Sequence, residues 1–520
     1  MRNRLTYAGF GVLSTVAGVA MGHLVAALTN PAASPVLAVG ATVIDLTPTP
    51  LKEWAIAQFG TNDKAILIGS VLLGVLVLAA VAGLLALRRW VYGAALLVVL
   101  VAVAAAAALT RPTAGATDLV PSLAAAVAGV AALWWLDRRA RAATPAPAGT
   151  PGALDTPGAP GALGARGASR RSVLFAAGTL AAAAAVMGGA GRWITSYRTR
   201  PANVRLPAAA DRASKLPVGL DDKVPGITPF RTPNNEFYRV DTRLTLPVVS
   251  LDGWSLTIDG DVDREVTFTF DDLLAMDLIE RDITLTCVSN DVGGRYVGSA
   301  RWLGVPLKDL LVSAGVANTK ADQILSTDVD GMTIGTPFAL ATDGRDAMIA
   351  VGMNGEALPR EHGFPARMVV PGLYGFISAT KWITRITLTT YAEQDAYWTQ
   401  RKWATDAPIK VASRIDTPKP LSTIDAGRTV IGGVAWAQHQ GGVERVEVRI
   451  DGGAWQEARL GPSGGEDYWR QWYLPWTAEQ GQHSLAVRAV TGDDETQTAA
   501  RATPFPNGSS GIQDVVVTVR

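Results

Sequence analysis

Five apolar runs occupy most of the first 195 residues, and they restrict what this part of the chain can become. They are rich in Ala, Val, Leu and Gly, and each approaches the ~20 residues that a membrane-spanning helix needs. Buried helices of a soluble protein are the alternative, but five such runs in one segment favour helices that cross a membrane. The runs are Phe10–Leu28, Ala65–Leu87, Val91–Leu109, Leu119–Leu136 and Val173–Ile194.

The basic residues between the runs predict their orientation. Arg2 and Arg4 precede the first run, and Arg88-Arg89 separate the second from the third. A further group of arginines separates the fourth run from the fifth, whereas the other connections carry fewer basic residues. Because cytoplasmic loops carry the excess of Lys and Arg, we expect the amino terminus and the Arg-rich loops in the cytoplasm. Five crossings then place everything after about residue 195 outside.

The connection before the fifth run has two parts. Ala142–Ala168 consists mainly of Pro, Ala, Gly and Thr in low-complexity order, which predicts a disordered cytoplasmic linker. Ser169-Arg170-Arg171-Ser172 then precedes an apolar helix, as in a twin-arginine export signal, with ordinary positive-inside charge as the alternative. The expected units are a four-helix membrane domain (1–141), the linker (142–168) and the twin-arginine-like segment with the fifth helix (169–196).

From residue 197 onward the sequence is typical of a globular protein. Strand and short-helix signals alternate as far as residue 408, including a strand at Trp254–Gly260 and a helix capped by Asp271 or Asp272. No G-x-G-x-x-G motif and no P-loop occurs. An α+β catalytic domain is therefore expected over residues 197–408.

Residues 409–520 carry strand signals without helical ones. Val443–Ile450 alternates between apolar and polar residues, Asp451-Gly452-Gly453 is a hairpin-type turn, and further short strands follow. This pattern predicts a C-terminal all-β sandwich.

The chain contains one cysteine, Cys287, and four histidines. Cys287 follows an apolar strand signal at Ile283 and Leu285 and precedes a glycine-rich loop. A single cysteine cannot form an internal disulfide and lacks the second cysteine of a zinc site. Burial as a small apolar residue is the alternative to a chemical role. The net charge of +1 gives no indication of nucleic-acid binding.

Several motifs around and after Cys287 resemble the sulfite oxidase family, in the family's order and spacing, over roughly residues 225–520. In that family the matching cysteine is the thiolate ligand of a molybdenum held by a pterin dithiolene, and a soft thiolate suits such a metal. The resemblance implies a molybdopterin-dependent oxidoreductase that transfers an oxygen atom, with an immunoglobulin-like C-terminal domain that forms a homodimer in the family. The motifs are Leu285-Thr286-Cys287-x-x-Asn290, Ser299–Gly304, Met353–Pro359, His362–Arg367, Val369–Gly372 and Lys381-Trp382.

The resemblance also implies a set of site residues. Cys287 would be the metal ligand and the catalytic residue. Arg367 and Lys381 would contact the phosphate of the pterin, and His362 would hydrogen-bond the pterin. These residue types suit the group, since a phosphate on a polar ring system needs cations and backbone amides. The remaining expected cofactor contacts are Asn234, Tyr238, Arg239 and Asn290.

The substrate pocket departs from the family pattern. Asp291 stands where the family has an arginine, Pro233-Asn234-Asn235 lacks a second arginine, and Leu373–Ile377 lacks a third. The position of the family's pocket tyrosine falls near Met332. Because each charged contact carries ~1.5–3 kcal/mol, a neutral sulfoxide, N-oxide or other oxygen-atom donor or acceptor is expected rather than sulfite. The alternatives are a methionine-sulfoxide-reductase-like or other S-/N-oxide reductase fed from the membrane, and a non-catalytic cell-envelope protein that keeps the fold.

The route of the electrons is predicted from missing ligands. The sequence has no Cys-x-x-Cys-His motif and no cysteine cluster, so neither a covalent haem nor an iron–sulfur centre is expected. A membrane b-type haem usually takes two histidines, whereas His23 is the only histidine in the five apolar runs. We therefore expect the helices to serve as an anchor, or to dock a separate quinone- or cytochrome-linked redox partner.

Overall fold

The structure is a computed structural model that describes residues 4–48, 51, 54, 58–59, 63–111, 114–142, 170–198 and 204–520. It divides into two compact units. A helical unit comprises Met1–Arg200 with Thr242–Val248, and a larger unit comprises Pro201–Asp241 with Val249–Arg520. The predicted linker Ala142–Ala168 lies, after its first residue, outside the described residues.

The described part of the helical unit contains five helices that are long and apolar enough to cross a membrane, and they coincide with the five predicted runs. One shorter apolar helix, which the sequence did not predict, follows the first of them. The helices are α1 (Arg4–Leu28), α2 (Pro35–Leu46), α3 (Asp63–Arg88), α4 (Trp90–Leu109), α5 (Val120–Ala142) and α6 (Arg170–Arg198).

Small residues bring α1 close to its neighbours within the helical unit. A Cβ atom added at Gly18 of α1 would lie 2.7 Å from the carbonyl oxygen of Ala125 in α5. Gly11 meets Ala79 and Gly83 of α3 in the same way. Packing through small residues is how helices associate in lipid, where apolar burial gives little driving force. Large apolar side chains such as Leu73 remain exposed on the outer faces.

The larger unit begins with an α+β arrangement, as predicted. Its strands form two sheets, one in the order β2-β1-β10-β5-β6 and one in the order β3-β4-β7-β8 with β9 paired to β7. The strands are β1 (Ser255–Gly260), β2 (Val266–Thr269), β3 (Ile279–Thr286), β4 (Val297–Pro306), β5 (Gln323–Asp328), β6 (Thr333–Pro337), β7 (Met348–Met353), β8 (Glu356–Ala357), β9 (Arg367–Val369) and β10 (Ile383–Thr389). The α-helices between them are α7 (Phe270–Ala275), α8 (Leu307–Ala314) and α9 (Phe338–Ala341).

The start of α7 corrects one detail of the prediction. The N-cap is Thr269, whose hydroxyl accepts a hydrogen bond from the Asp272 backbone N–H at 3.2 Å. The Asp272 carboxylate accepts in return from the Thr269 N–H at 2.8 Å. Asp272 therefore takes part in the capping box without being the cap.

The strands after residue 411 form two sheets around one apolar core. Ile431 and Trp472 of the first sheet pack with Val446 and Val517 of the second. This agrees with the predicted β-sandwich, and its immunoglobulin-like character stays a prediction. The sheets have the orders β11-β13-β17-β16 and β12-β19-β18-β14-β15, with β11 (Ala412–Thr417), β12 (Thr423–Ile424), β13 (Gly427–Trp436), β14 (Val443–Ile450), β15 (Trp455–Glu457), β16 (Arg459–Leu460), β17 (Arg470–Ala478), β18 (Gly481–Thr491) and β19 (Gln513–Val519).

Candidate cofactor and substrate site

Cys287 lies directly after β3, where the strand turns into the glycine-rich loop, as predicted. Its side chain is buried, and the Asn290 N–H donates to its carbonyl oxygen at 3.0 Å. The Asn290 side chain holds the far end of the loop by accepting from the Tyr296 N–H at 2.8 Å. A Cβ atom at Gly294 would lie 2.6 Å from Asn290 Oδ1, so the loop needs glycine there. Asn290 thus shapes the loop that presents the thiol.

Arg367 and Lys381 lie opposite each other in an isolated antiparallel bridge, which puts their side chains on one face. Arg367 is 5% exposed, and burial lowers the pKa of its guanidinium to about 10. Burial also lowers the pKa of the Lys381 ammonium to about 8, although the nearby Asp241 carboxylate opposes this shift. A Cβ atom at Gly363 would come within 3.0 Å of Arg367 Cβ and 3.1 Å of Lys381 Cβ. The backbone at Gly363 therefore approaches both cations closely.

His362 is buried beside these cations. Its Nε2 atom lies 2.8 Å from the carbonyl oxygen of Asn234, and because a carbonyl only accepts, Nε2 carries the hydrogen. Burial lowers the pKa of His362 to about 4, and the charges of Arg367 and Lys381 act in the same direction. His362 is therefore neutral near pH 7, and its Nδ1 atom is a hydrogen-bond acceptor.

Asn234, Tyr238 and Arg239 reach the same cluster through different contacts. Asn234 is fixed by Asn354, whose side-chain amide donates to Asn234 Oδ1 at 2.8 Å. Burial raises the pKa of the Tyr238 phenol, and Cys287 adds to that shift while Arg367 opposes it. All eight residues expected from the sequence therefore belong to one region around Cys287, although Asn290 shapes the loop.

Asp241 is the main site residue that the sequence did not reveal. Its carboxylate accepts from Lys381 Nζ at 2.9 Å and from Arg239 Nε at 2.7 Å. The residue lies 140 positions before Lys381 in the chain, and no local motif marks it. The signal that could have found it is the rule that buried lysines take a carboxylate partner.

The cluster fits an anionic group. Among the described residues no carboxylate lies within salt-bridge distance of Arg367, whose guanidinium donates to the carbonyl oxygens of His362 and Met368. A buried cation without a counter-charge is costly unless a ligand supplies one. Arg367, with Lys381 beside it, can thus receive the phosphate that the resemblance implies.

Burial raises the pKa of the Cys287 thiol, while hydrogen bonds involving Ser289 and the charge of Lys381 lower it in part. The thiol is therefore protonated at neutral pH without a metal. Metal binding to such a cysteine requires loss of the proton, which a bound cation promotes.

A small cleft is lined by Thr286 and Asn290, which flank Cys287 in the chain, while Cys287 itself is not among the lining residues. Asp291 and Tyr374 line the cleft as well, and the C-terminal sandwich contributes Trp436 and Ser509. No arginine or lysine is among the described residues that line this cleft. The charge on its wall is the exposed carboxylate of Asp291.

Residues 504–511, between β18 and β19, contribute Ser509, Ser510 and Gly511 to the lining of the cleft. The Ser509 hydroxyl donates to the Asn290 carbonyl oxygen at 2.6 Å, and Lys410 Nζ donates to Asn507 Oδ1 at 3.2 Å. A Cβ atom at Gly508 would lie 2.6 Å from the Tyr374 hydroxyl oxygen. Sequence patterns give no sign of these contacts, because Ser509 lies 219 residues from Asn290.

Comparison with known proteins supports the reading of this site. Residues 243–398 match the family described as "Oxidoreductase molybdopterin binding domain". The chain is 32% identical to the mitochondrial sulfite oxidase of Homo sapiens over 315 residues, which is 51% of this chain and 56% of that protein.

Two further proteins are similar to parts of this chain. The chain is 28% identical over 292 residues to nitrate reductase [NADH] 2 of Nicotiana tabacum, covering 45% of this chain and 32% of that protein. The sulfane dehydrogenase SoxCD of Paracoccus pantotrophus aligns with a TM-score of 0.49 and 26% identity, covering 56% of this chain and 83% of that one. The chain spans a little over half of the length of the sulfite oxidases it matches, at 56% for the human protein.

Proposed function

The catalytic region of this chain belongs to the sulfite oxidase family of molybdopterin-dependent oxidoreductases, and on that premise we propose that the protein transfers an oxygen atom to or from a neutral substrate. The observation that carries this proposal is the contrast around Cys287. Arg367 and Lys381 form a largely buried cationic cluster, whereas the cleft lined by Thr286 and Asn290, the neighbours of Cys287 in the chain, has no lining cation among the described residues.

The cofactor contacts follow from the cluster. When bound, the molybdenum cofactor supplies the two-electron exchange of an oxygen atom. Cys287 would provide a thiolate ligand, and Arg367 with Lys381 would bind the phosphate through charge-assisted hydrogen bonds. Neutral His362 would accept a hydrogen bond at Nδ1 from the pterin. The chain would thereby bind and orient the group.

The substrate group that gives up or receives the oxygen atom is proposed to carry no net charge. A dianion such as sulfite needs cations, whereas this cleft carries the Asp291 carboxylate and polar neutral side chains. A sulfoxide or an N-oxide has a strongly polar but net neutral S–O or N–O group that hydrogen-bond donors can hold. A reductase of methionine sulfoxide type is included in this class.

The helical unit is proposed to anchor the catalytic region to a membrane, with that region on the extracytoplasmic side. Its support is the length and apolarity of five helices and the arginines of the predicted cytoplasmic loops. A periplasmic-type reporter fused after Ile194 should be active, and one fused within Ala142–Ala168 should be inactive. The opposite pattern at either site would overturn this orientation.

Electrons are proposed to pass through a separate quinone- or cytochrome-linked partner, since His23 is the only histidine in the apolar runs. The purified chain should contain molybdenum but neither iron nor a haem Soret band. A stoichiometric haem in the purified single chain would contradict this proposal.

One preparation tests the enzymatic function directly. Purified full-length protein should contain close to one molybdenum per chain by mass spectrometry, and it should turn over at least one member of a panel of sulfoxides and N-oxides. A preparation that binds no molybdenum would support the non-catalytic alternative. A molybdenum-loaded protein that turns over sulfite alone would refute the neutral-substrate proposal.

A further inference from the structure

Tyr374 lines the cleft, and its hydroxyl has no role in the chemistry proposed above. Tyr374 lies in the loop after Val370-Pro371-Gly372, in the segment where the family's third arginine is missing. Its side chain is 3% exposed, and the residue lines the cleft together with Thr286 and Asn290. The phenol is therefore held at the wall of the cleft and shielded from bulk water.

The hydroxyls of three lining serines are already committed to the protein. Ser509 donates to the Asn290 carbonyl oxygen at 2.6 Å, and Ser510 donates to the Ala500 carbonyl oxygen at 2.8 Å. Ser413 donates to Gln497 Oε1 at 2.7 Å. A substrate could bond to these hydroxyls only by breaking an existing hydrogen bond, which offsets most of the gain.

Tyr374 differs from these serines. Its oxygen accepts a long hydrogen bond from the Lys410 N–H at 3.5 Å, and among the described residues its hydrogen has no acceptor. Gly508 leaves room for the hydroxyl, because a Cβ atom there would lie 2.6 Å from it. The phenol hydrogen is thus available to a group that enters the cleft.

We propose that Tyr374 donates a hydrogen bond to the oxygen of the S–O or N–O group of the substrate, and so replaces the family's pocket tyrosine from a different position in the chain. This inference rests on the proposed function. The donated bond orients the oxygen toward the side of the cleft where Cys287 lies, and it requires no positive charge in the cleft. It selects substrates by their neutral acceptor oxygen.

The test compares Tyr374→Phe with Tyr391→Phe, which removes a partly buried phenol hydroxyl that does not line the cleft. The dissociation constant of dimethyl sulfoxide is measured by saturation-transfer NMR on detergent-solubilised, molybdenum-loaded full-length chains. Tyr374→Phe should bind dimethyl sulfoxide about fivefold more weakly, as expected for the loss of one neutral hydrogen bond. Tyr391→Phe should bind it like the wild type.

The result separates this inference from the proposed function. Equal binding by Tyr374→Phe and the wild type would overturn the role of Tyr374 while leaving the function in place. A wild type that neither binds nor turns over any neutral oxide would overturn the function itself. A Tyr374→Phe chain with less molybdenum than the wild type would place the phenol in the cofactor site and also refute the inference.

Discussion

The cationic cluster of Arg367 and Lys381 and the cleft next to the Cys287 loop differ in charge. They also differ in whether their charged side chains have partners within the protein. In the cationic cluster, Arg367 is buried without a carboxylate partner among the described residues, and Lys381 shares Asp241 with Arg239. In the cleft, as far as the structure describes its lining, no cation occurs, and Asp291 contributes a negative charge. The cationic cluster can take up an anion, whereas the described lining of the cleft supplies no cation for one.

This difference separates what the family requires from what the substrate requires. A phosphate needs cations, and the His362–Arg367 motif and Lys381 that resemble the family's are recognisable in the sequence. A substrate pocket changes with its substrate, and two of the departures, Asp291 and the Leu373–Ile377 segment through Tyr374, line the cleft. This contrast is the basis for proposing a retained cofactor and an altered substrate.

Removing the Cys287 thiol should have the largest effect on turnover. Cys287→Ser should lower turnover at least ~1000-fold, because a hydroxyl is a poor substitute for a soft thiolate ligand. Turnover per chain is compared with the melting temperature, which should change little. Ser289→Ala is the comparison: it removes a hydrogen bond to the thiol but keeps the thiol, so it should lower turnover far less. Wild-type turnover by Cys287→Ser would remove Cys287 from the metal site.

The next largest effect concerns the cationic cluster. Arg367→Ala should lower the molybdenum-to-protein ratio to about a tenth or less, because a charge-assisted contact to phosphate carries ~1.5–3 kcal/mol. Lys381→Ala should lower it as well, but by less, since Lys381 already has Asp241 as a partner. Arg385→Ala, on an exposed ion pair with Asp259, is the matched control and should load fully. Full loading of Arg367→Ala would show that the phosphate binds elsewhere.

Reversing the charge of Asp291 should make the cleft lining more like the cationic cluster in its affinity for anions. Asp291→Arg should tighten the binding of sulfite by about tenfold at low salt, because it removes a repelling charge and adds an attracting one. The gain should shrink at 0.5 M salt, where the Debye length is about 4 Å. Asp252→Arg makes the same change in net charge at an exposed position outside the cleft lining. Equal gains in sulfite affinity in both variants would mean that net charge, and not the charge in the cleft, determines the binding.

The smallest effect is a pH dependence at His362, beside the cationic cluster. Because the pKa of His362 falls from 6.5 to about 4 in the folded chain, the unfolded chain binds more protons between those values. The stability that neutral His362 contributes is therefore complete above about pH 6.5 and is lost as the pH falls toward 4. The melting temperature of cofactor-free wild type should decline over this range more than that of His362→Gln. Parallel curves would mean that His362 keeps an ordinary pKa in the fold.

Local patterns predicted much of this structure. Val443–Ile450 was expected from its alternation and forms β14 with the same bounds. The turn at Asp451-Gly452-Gly453 joins it to β15. The ordered motifs around Cys287 likewise indicated which residues the fold brings together, because each motif is short and carries its own chemistry.

The remaining features depend on contacts between distant segments. Asp241 meets Lys381 across 140 residues, and Ser509 meets Asn290 across 219. Neither pair leaves a periodic or local signal, since tertiary packing alone decides which surfaces meet. Tyr374 could have been found, because it lies in a loop that already stood out for its missing arginine. Its availability as a donor, however, depends on Gly508 and Lys410 in three dimensions.

The central claim is that the site exchanges oxygen with a neutral substrate and not with sulfite. Stopped-flow absorption on molybdenum-loaded, full-length protein tests it in two mixing experiments. Dithionite-reduced protein should be reoxidised by a sulfoxide or an N-oxide, and oxidised protein mixed with sulfite should show no reduction on the same timescale. Rapid reduction by sulfite, together with no response of the reduced protein to the neutral oxides, would contradict the account.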